Sequence, residues 1–468
     1  MEQGSTDLLA AEIQRLVPVF TALADDIWAT PELCFNEHRS VAAQIGAMEA
    51  HGFRVTRNVG GLETAFTADW GGDGEADGPL IAFLGEFDAL PGLSQVAGLA
   101  EARPLEPGGN GHGCGHNLLG SGSMLAAIAL SQVLARSGIK ARLRYYGCPA
   151  EEGGWGKAIM VRAGAFDGVT AAIGWHPGTF NGVRARSTLA ISNRIYRFEG
   201  RAAHAAMAPH LGRSALDAVE LMNIGANFLR EHMPADARLH YAITDAGGHA
   251  PGVVQARAEV LYMIRSPERD ELQDLVARVD DIAQGAALMT GTAFEIVPQG
   301  GAANVLPNAP LCAVMHGVMT RLGRLSFAEA ERAFAADIRA TLANVAATDR
   351  RDAALPDALL PAGEGLVPLH EGLRAYDGRM AQGAGSTDVG DVSWVVPVVE
   401  CATATWAAGT ASHSWQVVAQ GKSPGAHRAM IRAAEIMAGT GLEIILRPEI
   451  QAEAWQDHAR RRAGRSYE

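Results

Sequence analysis

Short apolar runs alternate with longer helical runs along the chain from Gly78 onward. The apolar runs cover residues 80–84, 143–148 and 169–175, with a helical run between each pair. Continuous apolar runs of this length, separated by helices, are typical of strands buried on both faces of a parallel sheet. The sequence therefore predicts an α/β domain with a mixed, mostly parallel sheet.

The pattern changes near residue 187 and continues as strand, helix, strand, strand, helix and strand to residue 297. This order is that of a ferredoxin-like α+β unit. A chain of 468 residues also exceeds the size at which a single core keeps growing. We therefore expect a main domain formed by 1–187 and 304–468, and an inserted domain formed by 188–303.

Charge and composition argue against several classes of partner. The net charge of −13 disfavours nucleic acid, which requires clustered Lys and Arg. No run of about 18 uncharged, purely apolar residues is found, so a membrane span is not expected. The five cysteines are odd in number and scattered, which favours reduced thiols over a disulfide framework. The sequence predicts a globular, cytoplasmic protein.

Residues 111–117 read Gly-His-Gly-Cys-Gly-His-Asn and directly precede a helical run. Glycine lets the backbone fold closely, so Cys114 and His116 can point at one centre. Thiolate and imidazole are suitable ligands for zinc, manganese or cobalt. The same residues also fit a reduced cysteine in a glycine-rich turn, so the motif by itself leaves both interpretations open.

Other candidate ligands follow the predicted strands. The adjacent carboxylates Glu151 and Glu152 come just after one strand, and His176 ends the next. His413 lies in a loop of small residues near the C-terminus. Ligands bind at the carboxyl ends of the strands in open α/β sheets. One carboxylate of an adjacent pair can bind a metal while its neighbour takes a proton from the attacking water.

Five ligands are the number expected when one residue bridges two ions and each ion gains two more. The candidates are Cys114, His116, Glu152, His176 and His413. Two divalent metal ions are therefore predicted as cofactors. The ligand types suit zinc, manganese and cobalt alike, so the sequence does not select among them.

Six segments, in the same order, resemble the aminoacylase/carboxypeptidase family of dinuclear metallohydrolases, in the branch that uses a bridging cysteine. These segments are 111–117, 149–153, 174–177, 203–206, 385–394 and 412–416. Within the family, the chain is most similar to hydrolases of p-aminobenzoyl-glutamate and indole-acetyl-aspartate. The resemblance implies an amidohydrolase whose inserted domain closes over a small amide substrate.

The resemblance also implies a role for each candidate ligand. Cys114 would bridge the two ions. Glu152 and His413 would complete one metal site, and His116 and His176 would complete the other.

Further roles are implied for residues around the metals. Glu151 would act as general base and then as general acid, and Asp88 would orient a ligand histidine. The inserted domain would form a homodimer, in which His204 stabilises the oxyanion in the partner's site. Arg265 lies where relatives place an arginine that binds a substrate carboxylate.

Two positions depart from the family pattern. Gly252 stands where relatives usually have an Asn that helps to bind the substrate, and Asn117 stands where many relatives have Asp. Because every implied metal ligand is present, we expect the hydrolytic chemistry to be retained and the substrate to differ.

Three functional hypotheses follow. The first is a metal-dependent amidohydrolase that cleaves an N-acyl or N-aroyl amino acid, or a dipeptide-like amide. The second, motivated by Gly252, is hydrolytic deamination of an aromatic amine at the same two metals, which would release ammonia. The third is one subunit of a hetero-oligomeric hydrolase, which an active single-chain homodimer would exclude.

Overall fold

The computed structural model describes residues 3–72, 78–343, 345 and 367–467. The chain divides into two compact units. The first comprises Met1–Arg186, Leu306–Ala381 and Val392–Glu468, and the second comprises Ser187–Val305 and Gln382–Asp391.

Strands and helices alternate through much of the described chain. The strands are β1 (Arg54–Arg57), β2 (Phe66–Trp70), β3 (Leu80–Glu86), β4 (Arg142–Cys148), β5 (Ala171–Gly178), β6 (Gly182–Val183), β7 (Arg186–Ser187), β8 (Ala190–Glu199), β9 (Arg238–Asp245), β10 (Arg257–Ser266), β11 (Ala293–Ala302), β12 (Ala381–Gln382) and β13 (Val398–Ala404). The α-helices are α1 (Gln3–Trp28), α2 (His38–Ala50), α3 (His116–Ser137), α4 (Gly156–Arg162), α5 (Ala215–Leu229), α6 (Arg269–Thr290), α7 (Ala309–Leu322), α8 (Glu329–Ala340), α9 (Val389–Val395), α10 (Trp415–Gln420), α11 (Pro424–Leu446) and α12 (Pro448–Arg462). Short 3₁₀ turns cover Val59–Gly61, Pro209–Leu211 and Arg230–His232.

A seven-stranded mixed sheet in the order β1-β2-β4-β3-β5-β13-β6 forms the centre of the first unit. Its four central strands, β4, β3, β5 and β13, run parallel, and the flanking strands pair antiparallel. All seven residues of β3 are buried, as expected of a strand with parallel neighbours on both sides. The predicted α/β class with a mostly parallel sheet is confirmed.

The register of the parallel strands sets where the following loops begin. Glu86, the last residue of β3, lies opposite Cys148, the last residue of β4. On the next strands, His176 of β5 lies opposite Ala402 of β13. The loops after β3, β4 and β5 therefore start at one edge of the sheet.

Helix α3 is the central helix of the first unit and packs against α1, α11 and β3. It begins at His116, before the predicted start at residue 121, directly after Gly115 in a left-handed conformation with φ of 76°. Its length and apolar composition would allow it to span a membrane, but most of it is buried inside the unit. Small uncharged residues such as Gly120 and Ser121 extend this helix beyond what a purely apolar run would give.

The second unit is a four-stranded antiparallel sheet in the order β11-β8-β10-β9, with helices α5 and α6 packed on it. Strand β10 alternates between buried and more exposed residues, as expected when helices cover one face of a sheet. The unit has its own apolar core, which includes Tyr196, Val260 and Ile264. Its element order and strand order are those of the predicted ferredoxin-like insert.

The second unit also contains Gln382–Asp391, a segment that the sequence prediction left in the main domain. Leu189 donates a backbone hydrogen bond to the carbonyl of Gly385 at 2.8 Å. Ala303 N–H donates to the Asp391 carboxylate at 3.2 Å. These bonds join positions far apart in sequence, which explains why a local pattern does not reveal them.

Candidate metal centre

The five predicted ligands form two groups that share one sulfur. Cys114, His116 and His176 form the first group, and Cys114, Glu152 and His413 form the second. Within each group, the candidate ligand atoms all lie within 4.8 Å of one another. The structure thus brings together all five residues in the partition that the resemblance implies.

The spacing of these atoms fits metal coordination. Cys114 Sγ lies 3.4 Å from His176 Nε2, and His413 Nε2 lies 3.3 Å from a Glu152 carboxylate oxygen. Donors around one tetrahedral zinc are about 3.3–3.8 Å apart at ordinary bond lengths. His116 Nε2 and Glu152 Oε1 are buried and make no hydrogen bond, although they lie 4.0 Å apart. A shared cation would compensate both atoms, so the donor set fits divalent ions.

Asp88 fixes the orientation of two of the candidate ligands. His116 Nδ1 donates to Asp88 Oδ1 at 2.9 Å, which turns Nε2 toward the other donors. The backbone N–H of Glu152 donates to Asp88 Oδ2 at 2.8 Å. A carboxylate behind a histidine commonly sets the tautomer and the ring plane of a metal ligand. Asp88 is thus placed as the sequence analysis expects of a residue that orients a ligand.

Backbone geometry positions the two outer histidines. His176 Nδ1 donates to the carbonyl of Pro177 at 2.7 Å, which leaves the Nε2 lone pair for the centre. His413 adopts a left-handed φ of 60°, and its N–H donates to the carbonyl of Gly113 at 2.8 Å. This second bond ties the C-terminal loop directly to the glycine-rich motif.

Protonation differs among the candidate ligands. Burial, and then the charge of Glu152, raises the pKa of Cys114 to about 12. Burial, and then the charge of Arg184, lowers the pKa of His176 to about 3. Burial opposes a charge on His116, but Cys114 and Asp88 outweigh it and raise the pKa of that ring. Metal binding therefore has to displace protons from Cys114 and His116, whereas His176 is already neutral.

Glu151 lies beside the first group, together with a buried ion pair that the sequence analysis missed. Oxygens of Glu151 and Glu86 lie within 4.8 Å of a His116 nitrogen. Lys157 Nζ contacts Glu86 at 2.6 Å, and both side chains are buried. Burial opposes the charge of Glu86, but Lys157 outweighs it and lowers the pKa of Glu86 to about 2.

The position of Glu86 in the sequence is a signal that could have revealed it. Glu86 precedes Asp88 by two residues at the end of the same predicted strand, and residues two apart on a strand share a face. The pairing with Lys157 has no comparable signal, because α4 follows the next strand along the chain.

Two further residues of the 111–117 motif have structural partners. His112 is buried outside both donor groups, and its Nε2 lies 3.0 Å from the carbonyl of Ile27. Asn117 Nδ2 donates to the carbonyls of Ala24 and Gly421 at 3.2 and 3.1 Å. An Asp carboxylate cannot donate to these carbonyls, which gives a physical reason for Asn at this position.

The second unit holds His204 on an exposed loop. Its Nδ1 accepts hydrogen bonds from the backbone N–H groups of Ala206 and Met207 at 3.2 and 3.1 Å. In the neutral ring the proton then resides on Nε2, so His204 presents an N–H donor.

Arg265 and Gly252 also belong to the second unit. The Arg265 Nε atom is buried and makes no hydrogen bond, and burial lowers the pKa of its guanidinium. Gly252 is exposed, and its carbonyl accepts a hydrogen bond from the N–H of Ala205, next to His204. A Cβ built at Gly252 would meet no atom within 4 Å. The fold of this unit therefore does not require glycine at that position.

Comparisons with known proteins identify the family. Residues 82–352 match the model of peptidase family M20/M25/M40. The chain is 46% identical over 460 residues to one of the subunits of p-aminobenzoyl-glutamate hydrolase from Escherichia coli (strain K12), covering 97% of this chain and 93% of that protein. It is 30% identical over 455 residues to the Xaa-Arg dipeptidase of Mus musculus, covering 94% of this chain and 89% of that protein.

A solved structure has the same fold. A dinuclear metal-binding peptidase of the M20 family from Bacillus subtilis superposes with a TM-score of 0.59 and 17% sequence identity. The match covers 92% of this chain and 99% of that one. Since the family model spans more than half of the chain and the E. coli relative nearly all of it, the chain belongs to peptidase family M20/M25/M40 and is a hydrolase.

Proposed function

We propose that the chain is a metal-dependent amidohydrolase that cleaves an N-aroyl amino acid, with p-aminobenzoyl-glutamate as the first candidate substrate. The observation that carries this proposal is the pair of donor groups that share Cys114, with the Glu151 carboxylate beside them. The similarity to the p-aminobenzoyl-glutamate hydrolase of E. coli supports the substrate class.

Each donor group would hold one divalent ion. His116 and His176 would complete one site around Cys114, and Glu152 and His413 would complete the other. When bound, two such ions polarise the scissile carbonyl and lower the pKa of the attacking water. Zinc, manganese and cobalt all suit this mixture of sulfur, nitrogen and oxygen donors.

Glu151 would transfer the proton during hydrolysis. It accepts a proton from the attacking water as the new C–O bond forms, and then donates that proton to the leaving nitrogen as the C–N bond breaks. The position of its carboxylate, within 4.8 Å of a His116 nitrogen, supports this role. Asp88 keeps His116 and Glu152 in place through the hydrogen bonds to both.

Residues of the second unit would act on the substrate. We assign oxyanion stabilisation to the His204 Nε2–H group, serving the metal site of a second copy in a homodimer. Arg265, whose Nε is buried without a hydrogen bond, would pair with the carboxylate of the amino-acid product. Gly252 offers no amide, so the contact that an Asn would make there is missing and substrate preference should differ accordingly.

A second form of assembly has to be tested with the first. The E. coli relative is named as one of the subunits of its hydrolase, and the chain also matches the other named one, at 30% identity over 246 residues. This naming supports a hetero-oligomer with a related chain as the alternative to a homodimer. The homodimer hypothesis predicts full activity from this chain alone.

The deciding experiment is turnover of p-aminobenzoyl-glutamate by metal-stripped protein reloaded with Mn²⁺, Zn²⁺ or Co²⁺, with glutamate and ammonia assayed separately. We expect glutamate release by the wild type. Glu151→Gln should bind both ions but lose turnover by several orders of magnitude, because the proton acceptor is gone. Glu152→Gln is the matched control, and it should lose metal as well.

Other outcomes separate the hypotheses. Ammonia without glutamate would indicate deamination in place of amide hydrolysis. Activity that requires an added, related chain would support the hetero-oligomer. Near wild-type turnover by Glu151→Gln would exclude Glu151 as the base.

A further inference from the structure

The loop between α1 and α2, residues 29–37, contacts several segments that carry the metal centre. The carbonyl of Glu32 accepts a hydrogen bond from the N–H of Ala89 at 2.8 Å. The thiol of Cys34 lies 3.7 Å from Asp88 Oδ2. The sequence analysis assigned no function to this loop.

Glu37 is the residue of the loop with the most unusual surroundings. Its side chain is 0% exposed, and Oε1 accepts hydrogen bonds from the N–H groups of Phe35 at 3.0 Å and Ala150 at 2.9 Å. Its second oxygen, Oε2, is buried and makes no hydrogen bond. Burial, and then the charge of Asp88, raises the pKa of Glu37 to about 7. A buried carboxylate with an unsatisfied oxygen is costly to the fold, so its retention calls for a role at the site.

The two residues that donate to Glu37 are both in left-handed backbone conformations. Phe35 has a φ of 62° and Ala150 has a φ of 58°. Residues with a Cβ rarely adopt this region unless the surroundings hold them there. Ala150 directly precedes Glu151, so the conformation at Ala150 sets the direction in which the Glu151 side chain leaves the turn.

The Phe35 ring supports the same turn from its other end. A Cβ built at Gly154 would lie 2.5 Å from this ring, so the turn accepts only glycine while Phe35 is in place. Gly154 N–H in turn donates to the carbonyl of Ala150 at 2.9 Å. Glu37 and Phe35 therefore hold the start and the end of the turn that carries Glu151 and Glu152.

We propose that Glu37 is a positioning residue, which fixes the Glu151 carboxylate by accepting the Ala150 N–H within the turn. The proposal rests on the proposed function of Glu151 as the proton acceptor. In this role Glu37 binds neither a metal ion nor the substrate. Its effect should therefore fall on the rate of the chemical step and leave the metals bound.

Glu32 provides a matched control within the same loop. Its carboxylate accepts hydrogen bonds from the N–H groups of Arg39 and Ser40 and from the Ser40 hydroxyl, at 2.8–3.0 Å. These groups belong to the first turn of α2 and not to the turn that carries Glu151. A change at Glu32 thus tests whether loss of any carboxylate from the loop is sufficient to lower activity.

The experiment compares Glu37→Ala, Glu37→Gln and Glu32→Ala as metal-loaded, full-length proteins. Readouts are kcat, KM, metal content per chain and Tm. We expect Glu37→Ala to lower kcat about 100-fold, with KM and metal content near wild type, because a displacement of about 1 Å in a proton-transferring group has an effect of this size. Glu37→Gln keeps an oxygen that can accept the Ala150 N–H, and it should recover most of the lost kcat.

The control should behave differently. Glu32→Ala should lower Tm while the folded protein keeps its kcat. If Glu37→Ala does not fold, Glu37→Asp, with a carboxylate one methylene shorter, should lower kcat while the metals stay bound.

Several results would overturn the proposal. Wild-type kcat in Glu37→Ala would do so, as would an equal loss in Glu37→Gln or in Glu32→Ala. A kcat loss that follows metal loss would also exclude a role through Glu151. If Glu151→Gln itself is fully active, the proposed function fails, whereas an inactive Glu151→Gln with an active Glu37→Ala rejects only the role of Glu37.

Discussion

The two units of the chain hold their candidate functional groups in opposite ways. In the first unit, His116 is 0% exposed, Cys114 is buried, and Asp88 supports the site from behind. In the second unit, His204 and Gly252 lie on exposed loops. The first unit thus presents a supported set of metal donors, and the second presents donors for hydrogen bonds and charge.

This difference follows from the two kinds of sheet. Parallel strands buried on both faces bring the ends of β3, β4 and β5 to one edge, where several loops can supply donors to a common centre. In the second unit, the residues of interest lie on loops or near the end of a strand, as Arg265 does in β10. We therefore expect metal binding to depend on the first unit, and substrate turnover to depend on both.

The largest effect is expected at the residue that both donor groups share. Cys114→Ala should remove both ions and lower activity by several orders of magnitude, because each group loses its sulfur donor. Metal content per chain, measured after dialysis against trace metal, checks this directly. Retention of two ions would show that Cys114 does not bridge them.

His204→Ala should lower kcat about 100- to 1000-fold while both ions remain bound, because it removes a hydrogen-bond donor to the oxyanion. His210→Ala is the matched control, since His210 is another exposed histidine a few residues along the same part of the chain. It should leave kcat near wild type. Loss of metal in His204→Ala would contradict the division of roles between the two units.

Asp88→Asn should weaken metal binding about 10- to 100-fold, as is usual when a partner behind a metal ligand is lost. One oxygen could still accept from His116, but the amide NH₂ would face the N–H of Glu152, which now donates to Asp88 Oδ2. Competition with a coloured chelator measures the change. Unaltered affinity would mean that packing alone orients the two ligands.

The smallest effects concern helix caps, one in each unit. Ser423 caps α11 by accepting from Ala426 N–H, and Ser214 caps α5 by accepting from Asp217 N–H, both at 3.1 Å. Replacement of either serine by Ala should reduce the free energy of unfolding by about 1 kcal/mol.

The tryptophans allow the two caps to be measured separately. All eight tryptophans of the chain lie outside 187–305 and 382–391 and so belong to the first unit. If the units unfold independently, Ser423→Ala should shift the urea transition followed by tryptophan fluorescence. Ser214→Ala should shift only the transition followed by circular dichroism. A fluorescence shift in Ser214→Ala would show that the two units unfold together.

Several parts of the centre follow from local patterns in the sequence. The apolar runs before Asp88, Glu151 and His176 predict parallel strands, and the carboxyl ends of such strands meet at one edge. The spacing of Cys114 and His116 in a glycine-rich motif predicts that their side chains converge. The structure brings all of these residues together, and their roles in catalysis stay predictions until measured.

Other contributors have no local pattern. Glu37 accepts from Ala150, and Lys157 pairs with Glu86, across separations that no periodicity links. The same holds for Gln382–Asp391, which joins the second unit through single hydrogen bonds to distant strands. A buried carboxylate is recognisable only when its burial and its partners are known.

The sequence by itself determined the α/β class, the ferredoxin-like order of the insert and the residue types of the candidate metal centre. These depend on apolar periodicity and on ligand chemistry, both of which are local properties of the chain. Tertiary structure alone decided which groups support the centre, including the bonds of Glu37 to the Ala150 turn and of Asn117 to two distant carbonyls. Such contacts depend on how distant segments pack, because a hydrogen bond forms only where packing brings donor and acceptor to about 3 Å.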